Sequence, residues 1–313
     1  MNPEVDCAYY ALERKGPPMK LIPAILSIAT LTSAATASDV LIVSAGSPTT
    51  DAALVAGLIA QGHTASIGPN YWEFDTSFDL SPYDVVYIQG NGNWTQSDMP
   101  IDAQTMILDY AQQGAGVVFS EWVVWMVQAR GVFQVLAASM PVVPTTTFRS
   151  TSTITFTENT PDPIVGEGLP ASFDMPLSSF SGTETFLVPK ENATVFYDSD
   201  WVIGETTGAA IVGWDICGGR VVNFSTTNGI NQINDPEFQV LLGNLMEWVT
   251  RSVQDNGCPA DIAAPCGFLN FFDVSAYLAR FSAQDPRADL TGDAQLNFLD
   301  VSQFLSVFGS GCP

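Results

Sequence analysis

DVLIVSAGSPTTDAALVAGLIA, residues 39–60, is the stretch on which the fold turns. Its first seven residues (39–45) form a near-continuous apolar run, which suits a strand buried on both faces. From 50 to 61 the period changes: Ala52, Val55 and Ile59 share one face beside Leu54 and Leu58, which is helical spacing. The alternation continues outward. HTASI (63–67) begins a second strand, YDVVYIQG (83–90) is a third, Asp102 to Gln113 a helix, GVVFSEW (116–122) a fourth strand, and 122–139 is helical. Short apolar strands alternating with helices predict an α/β domain over 38–252, with a mostly parallel sheet covered on both faces. TTTFRSTSTITFT (145–157) alternates as a half-exposed strand does, and Pro and Gly punctuate 160–190. ATVFYDSD, AAIVGWDI and GRVVNFS follow, and then a helix over 235–252 whose Phe238, Leu241, Leu242, Leu245 and Val249 should pack on the sheet.

The 313 residues carry 33 acids against 10 bases and a single His, a formal charge of −23. Such a chain has no basic footprint for phosphates, which argues against a nucleic-acid or anionic-membrane partner. Its 46% hydrophobic residues distinguish it from a disordered acidic tail. At the amino end, Lys20 beside Met19, an apolar stretch from Leu21 to Leu31 and the small residues Ala35-Thr36-Ala37 have the layout of a secretory signal peptide, with Ser38 opening the mature chain. The apolar run is too short for a transmembrane anchor. Residues 1–18 fit neither leader nor fold, so Met19 is the expected start. A secreted or cell-surface location follows, and with it an oxidising compartment for Cys217, Cys258, Cys266 and Cys312, for which three pairings are open.

After a polar joint at 253–257, residues 258–313 are an internal duplication. GFLNFFDVSAYLARF (267–281) and AQLNFLDVSQFLSVF (294–308) share Leu, Asn, Phe, Asp, Val, Ser, Leu and Phe at a constant offset of 27. Read from Asp289, the second copy puts side-chain oxygens at loop positions 1 (Asp289), 3 (Thr291), 5 (Asp293), 9 (Asn297) and 12 (Asp300), with Gln295 at position 7, where a backbone carbonyl serves. Oxygen donors at this spacing ahead of a helix are what calcium needs in an EF-hand-type loop. The first copy keeps only Asn270 and Asp273 as donors, so one calcium site is expected, beside a degenerate loop held by packing of Phe268, Leu269 and Cys266.

Two calcium-loop-plus-helix repeats, bracketed by Cys258-Pro259 and Cys312-Pro313, resemble a dockerin module of the divergent kind appended to exported planctomycete-type proteins. The resemblance implies a small all-α module that docks on a cohesin-like domain or cell-surface scaffold. The family's partner-contacting positions fall on Phe271 and Phe272, and on Phe298 and Leu299. For at least one residue of each pair, packing between the two helices is the competing expectation. The duplication implies that the module's ends meet, so that a Cys258–Cys312 disulfide would close it and add about 4 kcal/mol on the chain-entropy model.

Residues 38–252 resemble, more loosely, the class I glutamine amidotransferase-like superfamily and its trehalose-utilisation-protein-like branch, in YDVVYIQG, DYAQQGAGVVFSEW and GGRVVNFSTTNG followed by DPEF. That likeness implies a flavodoxin-like sheet with any ligand at the carboxyl ends of the strands. The amidotransferase triad is missing: Ser120, Glu121 and Trp122 follow GVVF with no Cys, Asn228 stands where relatives carry a His, and His63 belongs at the opposite edge, as a turn residue packing on the preceding helix. The loops at 45–51, 89–98 and 225–235 carry small, amide and hydroxyl groups. With Ser47, Asn91, Trp94, Trp122 and Asn228 at the strand ends, they suit a neutral polar ligand such as a carbohydrate. A non-catalytic or carbohydrate-binding component is the first expectation. The alternative is a carbohydrate-active hydrolase in which Glu121 pairs with Asp215 or Asp51, or Ser120 serves as nucleophile.

Overall fold

The computed structural model describes residues 37–90, 93–178, 183–216, 218–251, 258–263, 269–282, 284, 288–293 and 295–311, without the Glu121 side chain. The leader region, the joint, Asn91, Cys217, Cys266, Phe268 and Cys312 lie outside them. No helix among the described residues is long and apolar enough to cross a membrane.

The expected sheet is present. β1 (Asp39–Ser44) leads into α1 (Pro48–Ala60), and β2 (Thr64–Asn70) returns beside it. β3 (Val85–Ile88), α2 (Ile101–Gln112), β4 (Gly116–Phe119) and α3 (Glu121–Arg130) continue the alternation. With β11 (Gly219–Phe224) these strands form a parallel five-stranded core in the order β2-β1-β3-β4-β11. The apolar runs are continuous because successive residues serve opposite faces. Leu41, Val43, Val86, Ile88, Val117 and Phe119 pack with residues of α2 and α3, while Val40, Ile42, Val85, Tyr87 and Val118 pack with Leu54 and Leu58 of α1. The closing helix, α5 (Pro236–Thr250), joins that second layer through Phe238, Leu241 and Leu245. Asp235 caps it by accepting the Phe238 N–H at 3.1 Å, and Pro236 sits in its first turn, where a missing N–H costs nothing.

Beyond β11 the sheet changes character. β10 (Thr206–Ile216), β9 (Thr194–Ile203), β6 (Thr153–Glu158) and β7 (Ser172–Pro176) extend it as antiparallel neighbours to nine strands. The single strand expected at 145–157 is two, β5 (Phe148–Ser150) and β6, broken at Thr151 and Ser152. β5 pairs with β8 (Thr183–Thr185) in a separate ribbon. A one-turn helix, α4 (Ile230–Ile233), follows β11.

The carboxyl-terminal repeats form α6 (Phe271–Ser282) and α7 (Phe298–Ser310). Their buried core draws on residues from 258 onward: Cys258, Ala260, Tyr277, Ala288 and Phe304. Tyr277 and Phe304, 27 positions apart, stack face to face with ring centroids 4.1 Å apart, and the Tyr277 hydroxyl donates to the Ala288 carbonyl at 3.2 Å.

His63 lies at the amino edge, its N–H bonded to the Leu58 carbonyl of α1 at 3.1 Å and its ring reaching α5. Its Nδ1 accepts the Ser38 N–H at 3.2 Å and its Nε2 faces the Gly243 carbonyl at 3.2 Å. Burial lowers its pKa, against the Gly243 carbonyl and Glu247, which raise it. The imidazole is therefore held neutral, and below its ordinary value of about 6.5 the unfolded chain binds a proton that the folded chain refuses. Its stabilisation is complete above about 6.5 and declines as the pH falls. A His63→Gln variant should melt lower than the parent at neutral pH and lose less than the parent on acidification, as read by Tm against pH; parallel curves would contradict this role.

Candidate functional site

In a parallel sheet the carboxyl ends of the strands are the natural ligand edge. Here β1 ends at Ser44, β3 runs into Gln89 and Gly90, β4 into Ser120, and β11 into Ser225, Thr226, Thr227 and Asn228, and every one of these residues is buried. Some of their polar groups bond one another, while Asp51 Oδ1, Ser225 Oγ and Gln232 Oε1 at the same edge are buried without a hydrogen-bond partner among the described residues.

Ser120 stands at the place of a nucleophile, yet its geometry is structural. Its backbone is extended (φ −78°, ψ 164°), whereas a strained strand-to-helix elbow would present the hydroxyl outward. The side chain is fully buried, and its Oγ accepts the Gly90 N–H at 2.8 Å. A Cβ at Gly90 would stand 2.8 Å from the Val123 backbone nitrogen, so only glycine lets the first turn of α3 lie on this loop.

Asn228, where a His base was looked for, holds a left-handed backbone (φ 53°), which Asn tolerates better than most residues. Its Nδ2 donates to the Tyr87 hydroxyl, and its Oδ1 accepts from Thr226 Oγ1 at 2.9 Å. Gln232 Nε2 donates in turn to Thr226 Oγ1 at 2.7 Å. Burial raises the Tyr87 phenol well above its usual range despite the Asn228 contact, so it stays protonated. The ribbon of β5 and β8 covers the same edge: the Thr185 N–H donates to the Ser225 carbonyl at 2.8 Å, and Glu184 bridges to Thr226. Glu184 itself is buried against Arg149 (Nε to Oε2 2.6 Å), and Arg149 also reaches Asp200. Burial raises the Glu184 pKa, opposed by Ser199 and Arg149.

Of the two pairs in the hydrolase alternative, the one with Asp215 is not brought together. Asp215 pairs across the antiparallel strands with Arg220, which is in register with Gly116 at the start of β4, and its carboxylate bonds Arg220 Nε at 2.9 Å. It therefore lies at the amino edge, four residues of β4 or roughly 13 Å of strand away from Ser120 and Glu121. Asp51 does lie at the carboxyl edge, in the first turn of α1, where its Oδ2 accepts from Ser44 Oγ at 2.7 Å. Burial raises its pKa against that hydrogen bond.

The loops at 45–51 and 89–98 are tied together. Asn93 Nδ2 donates to the carbonyls of Ala45 (2.7 Å) and Gly46 (3.2 Å), and the Tyr71 hydroxyl donates to the Asn93 carbonyl at 3.0 Å. Ser47 caps this turn, its Oγ 3.0 Å from Thr50 Oγ1. Asn93 was not singled out from the sequence, although the amide-rich NGNW run contains it. What the edge leaves to solvent is aromatic. Trp94 and Trp122 have nearly parallel rings 6.2 Å apart, Trp125 stands perpendicular to both, and Phe148 of β5 extends the shelf, with Trp94 36% and Phe148 47% exposed. Arg130 lies over the Trp94 ring and donates to its carbonyl at 2.8 Å.

In the second repeat the loop oxygens converge in part. The Thr291 hydroxyl lies 2.8 Å from Asp300 Oδ1 and 3.3 Å from Asp289 Oδ1. Asp289 Oδ1 also accepts the N–H groups of Gly292 and Asp293, and Asp293 Oδ1 accepts that of Gln295. Asn297 caps α7 through the Leu299 N–H, and its Nδ2 donates to the Gln295 carbonyl at 3.2 Å. Among the described residues no three His, Cys, Asp or Glu side chains stand together as a metal-holding group. The first loop is held by more than packing: its buried Asp273 accepts the N–H groups of Ile262, Ala263 and Asn270.

The helix-packing expectation for the partner positions is overturned. Phe271, Phe272, Phe298 and Leu299 are 77%, 66%, 76% and 59% exposed, because the Tyr277–Phe304 stack fills the space between the helices.

No family model matches the chain, and no curated protein matches it. Solved structures do share the fold. A ThuA-like protein of Parabacteroides merdae superposes with a TM-score of 0.52 at 17% identity, over 73% of this chain and 95% of its own. A protein of Salmonella typhimurium, named as cytoplasmic, gives 0.50 at 16% identity over 64% of this chain and 86% of its own. The α/β sheet thus has a ThuA-like fold, and at these identities the likeness is one of fold.

Proposed function

We propose that this is an exported α/β protein without amidotransferase chemistry, which binds carbohydrate and is attached through its carboxyl-terminal module to a cohesin-type partner or cell-surface scaffold. The observation that carries the reading is the exposure of Phe271, Phe272, Phe298 and Leu299. Two matched pairs of large apolar side chains in water, on a module of some 55 residues, cost solubility and favour a partner that covers them. The leader pattern supports export.

Two contacts support the non-catalytic reading: Ser120 Oγ accepts the Gly90 N–H, and Asn228 bonds Tyr87 and Thr226. The aromatic shelf is the complementary feature. Half-exposed indole faces stack on the C–H faces of sugar rings, and amide-rich loops beside them supply hydrogen bonds. Trp94 and Trp122 provide the platform, with Ser47 on the loop that Asn93 ties to them. In a co-sedimentation assay on neutral polysaccharides, Trp94→Ala with Trp122→Ala should cut retention at least about tenfold, the size of effect that loss of stacked aromatic area produces. Equal retention by the parent and the double variant would sink the carbohydrate reading.

Calcium belongs to the second loop. Its donors are all oxygens, and two carboxylates with a hydroxyl between them fit a hard cation in kind. Asp289, Thr291, Asp293, Asn297 and Asp300 with the Gln295 carbonyl would hold it, the ion neutralising acids that otherwise repel. A staple between Cys258 and Cys312 would close the module; Cys258 is disulfide-bonded to a cysteine outside the described residues. Calorimetric titration of the full chain with calcium should find about one site, removed by Asp289→Ala with Asp300→Ala. Two equal sites, or none, would contradict the reading of the loops.

A further inference from the structure

Between the connection from β2 to β3 and the outer side of α2 runs a groove of about 510 Å³, within the size range of small-molecule sites. Half-buried Phe78, Met106 and Tyr110 line its floor, and exposed Asp79, Asp102 and Asp109 stand on its rim. It shares no lining residue with the aromatic shelf or with the repeats. Local sequence builds it. Along α2, Asp102, Met106 and Asp109 recur at three- and four-residue steps and so form one stripe of the helix. The facing wall is braced: the Phe78 ring packs on those of Phe74 and Tyr83, with centroids 5.3 and 6.2 Å away, and the Tyr110 hydroxyl donates to the Tyr83 carbonyl. The chain thus forms the groove by itself, which spares a ligand the cost of ordering it.

Charge decides what the groove admits. No basic side chain among the described residues lines it. The five Lys and Arg between 39 and 251 are bonded elsewhere, Arg149, Arg220 and Arg251 to carboxylates and Arg130 and Lys190 to backbone carbonyls. The Ser81 N–H, 2.9 Å from Asp79 Oδ1, holds that carboxyl below its ordinary value and keeps it charged at neutral pH. The rim therefore repels anions and attracts cations. Spacing narrows the class. Asp102 and Asp109 stand two turns apart, about 10 Å along the helix, with Met106 between them. Ammonium groups joined by methylene stems repeat that alternation of charge and hydrocarbon, and the rings of Phe78 and Tyr110 offer faces on which an alkylammonium can lie.

We propose that this groove is a binding site for an aliphatic polyamine, whose ammonium groups pair with Asp79, Asp102 and Asp109 while its methylene stem lies on Phe78 and Met106. The site goes beyond the carbohydrate and docking reading and does not depend on it.

Isothermal titration of the full chain with spermidine, and with a straight-chain octanediol as an uncharged molecule of the same length, tests this. Spermidine should saturate one site per chain and the diol none. Asp79→Asn with Asp102→Asn should weaken spermidine about tenfold, the size of effect that two lost exposed ion pairs produce. Thr105→Trp, which fills the groove from its exposed wall, should abolish binding while the circular dichroism of the fold is unchanged. Glu191→Gln with Glu205→Gln removes the same charge from exposed turns beside β9 and should leave the affinity as it was. If that remote pair weakens spermidine as much as the groove pair does, the ligand answers to net charge and the inference falls. It falls equally if the diol binds as well as spermidine, or if spermidine shows no saturable binding.

Discussion

Gly90 and Ser120 meet across the ends of two adjacent parallel strands, and the 2.8 Å hydrogen bond between them sets what the large domain can do. The bond needs Gly90, since a side chain there would strike the backbone of α3. It needs Ser120 too, since a buried N–H left without an acceptor would cost about 1–3 kcal/mol. Drawn onto the β3 loop in this way, α3 starts where Trp122 can lie parallel to Trp94, and Trp125 one turn later completes the shelf. The same contact takes a nucleophile's position out of solvent. One hydrogen bond therefore buries the Ser120 hydroxyl and fixes the start of the helix that carries Trp122 and Trp125.

The other strand ends follow the same rule. Asn228, Thr226, Gln232 and Tyr87 form a buried chain of donors and acceptors, and β8 continues over it with strand-like bonds to Ser225 and Thr226. Such a network is costly if half satisfied and rigid when closed. The network is not fully closed: Ser225 Oγ and Gln232 Oε1 are buried without a hydrogen-bond partner among the described residues.

The parallel core was legible because burial on both faces leaves continuous apolar runs such as 39–45 and 85–88. The antiparallel extension was not. β6 and β7 expose alternate Thr, Ser and Asp, and β8 is three residues of Thr and Glu in a stretch that Pro and Gly punctuate. Direction is a property of pairing rather than of local sequence, so the separation of Asp215 from Glu121 could not be read from the sequence. In the repeats, periodicity found the helices and the offset of 27. It could not tell that the stacked Tyr277 and Phe304 would leave no room inside for the four residues at the helix starts. The charge of −23 was equally uninformative about the loop of the second repeat: residues 258–313 hold six acids against two bases, so most of the charge belongs to the α/β region.

The sealed carboxyl edge is the claim on which the rest stands, and a thiol placed in it reports on it directly. A Ser120→Cys variant of the folded full chain, titrated with a thiol-specific reagent beside the parent, should show no more reactive thiol than the parent until denaturant is added. One additional thiol per chain reacting under native conditions would mean that the strand ends are open to solvent, and that the edge is a working site after all.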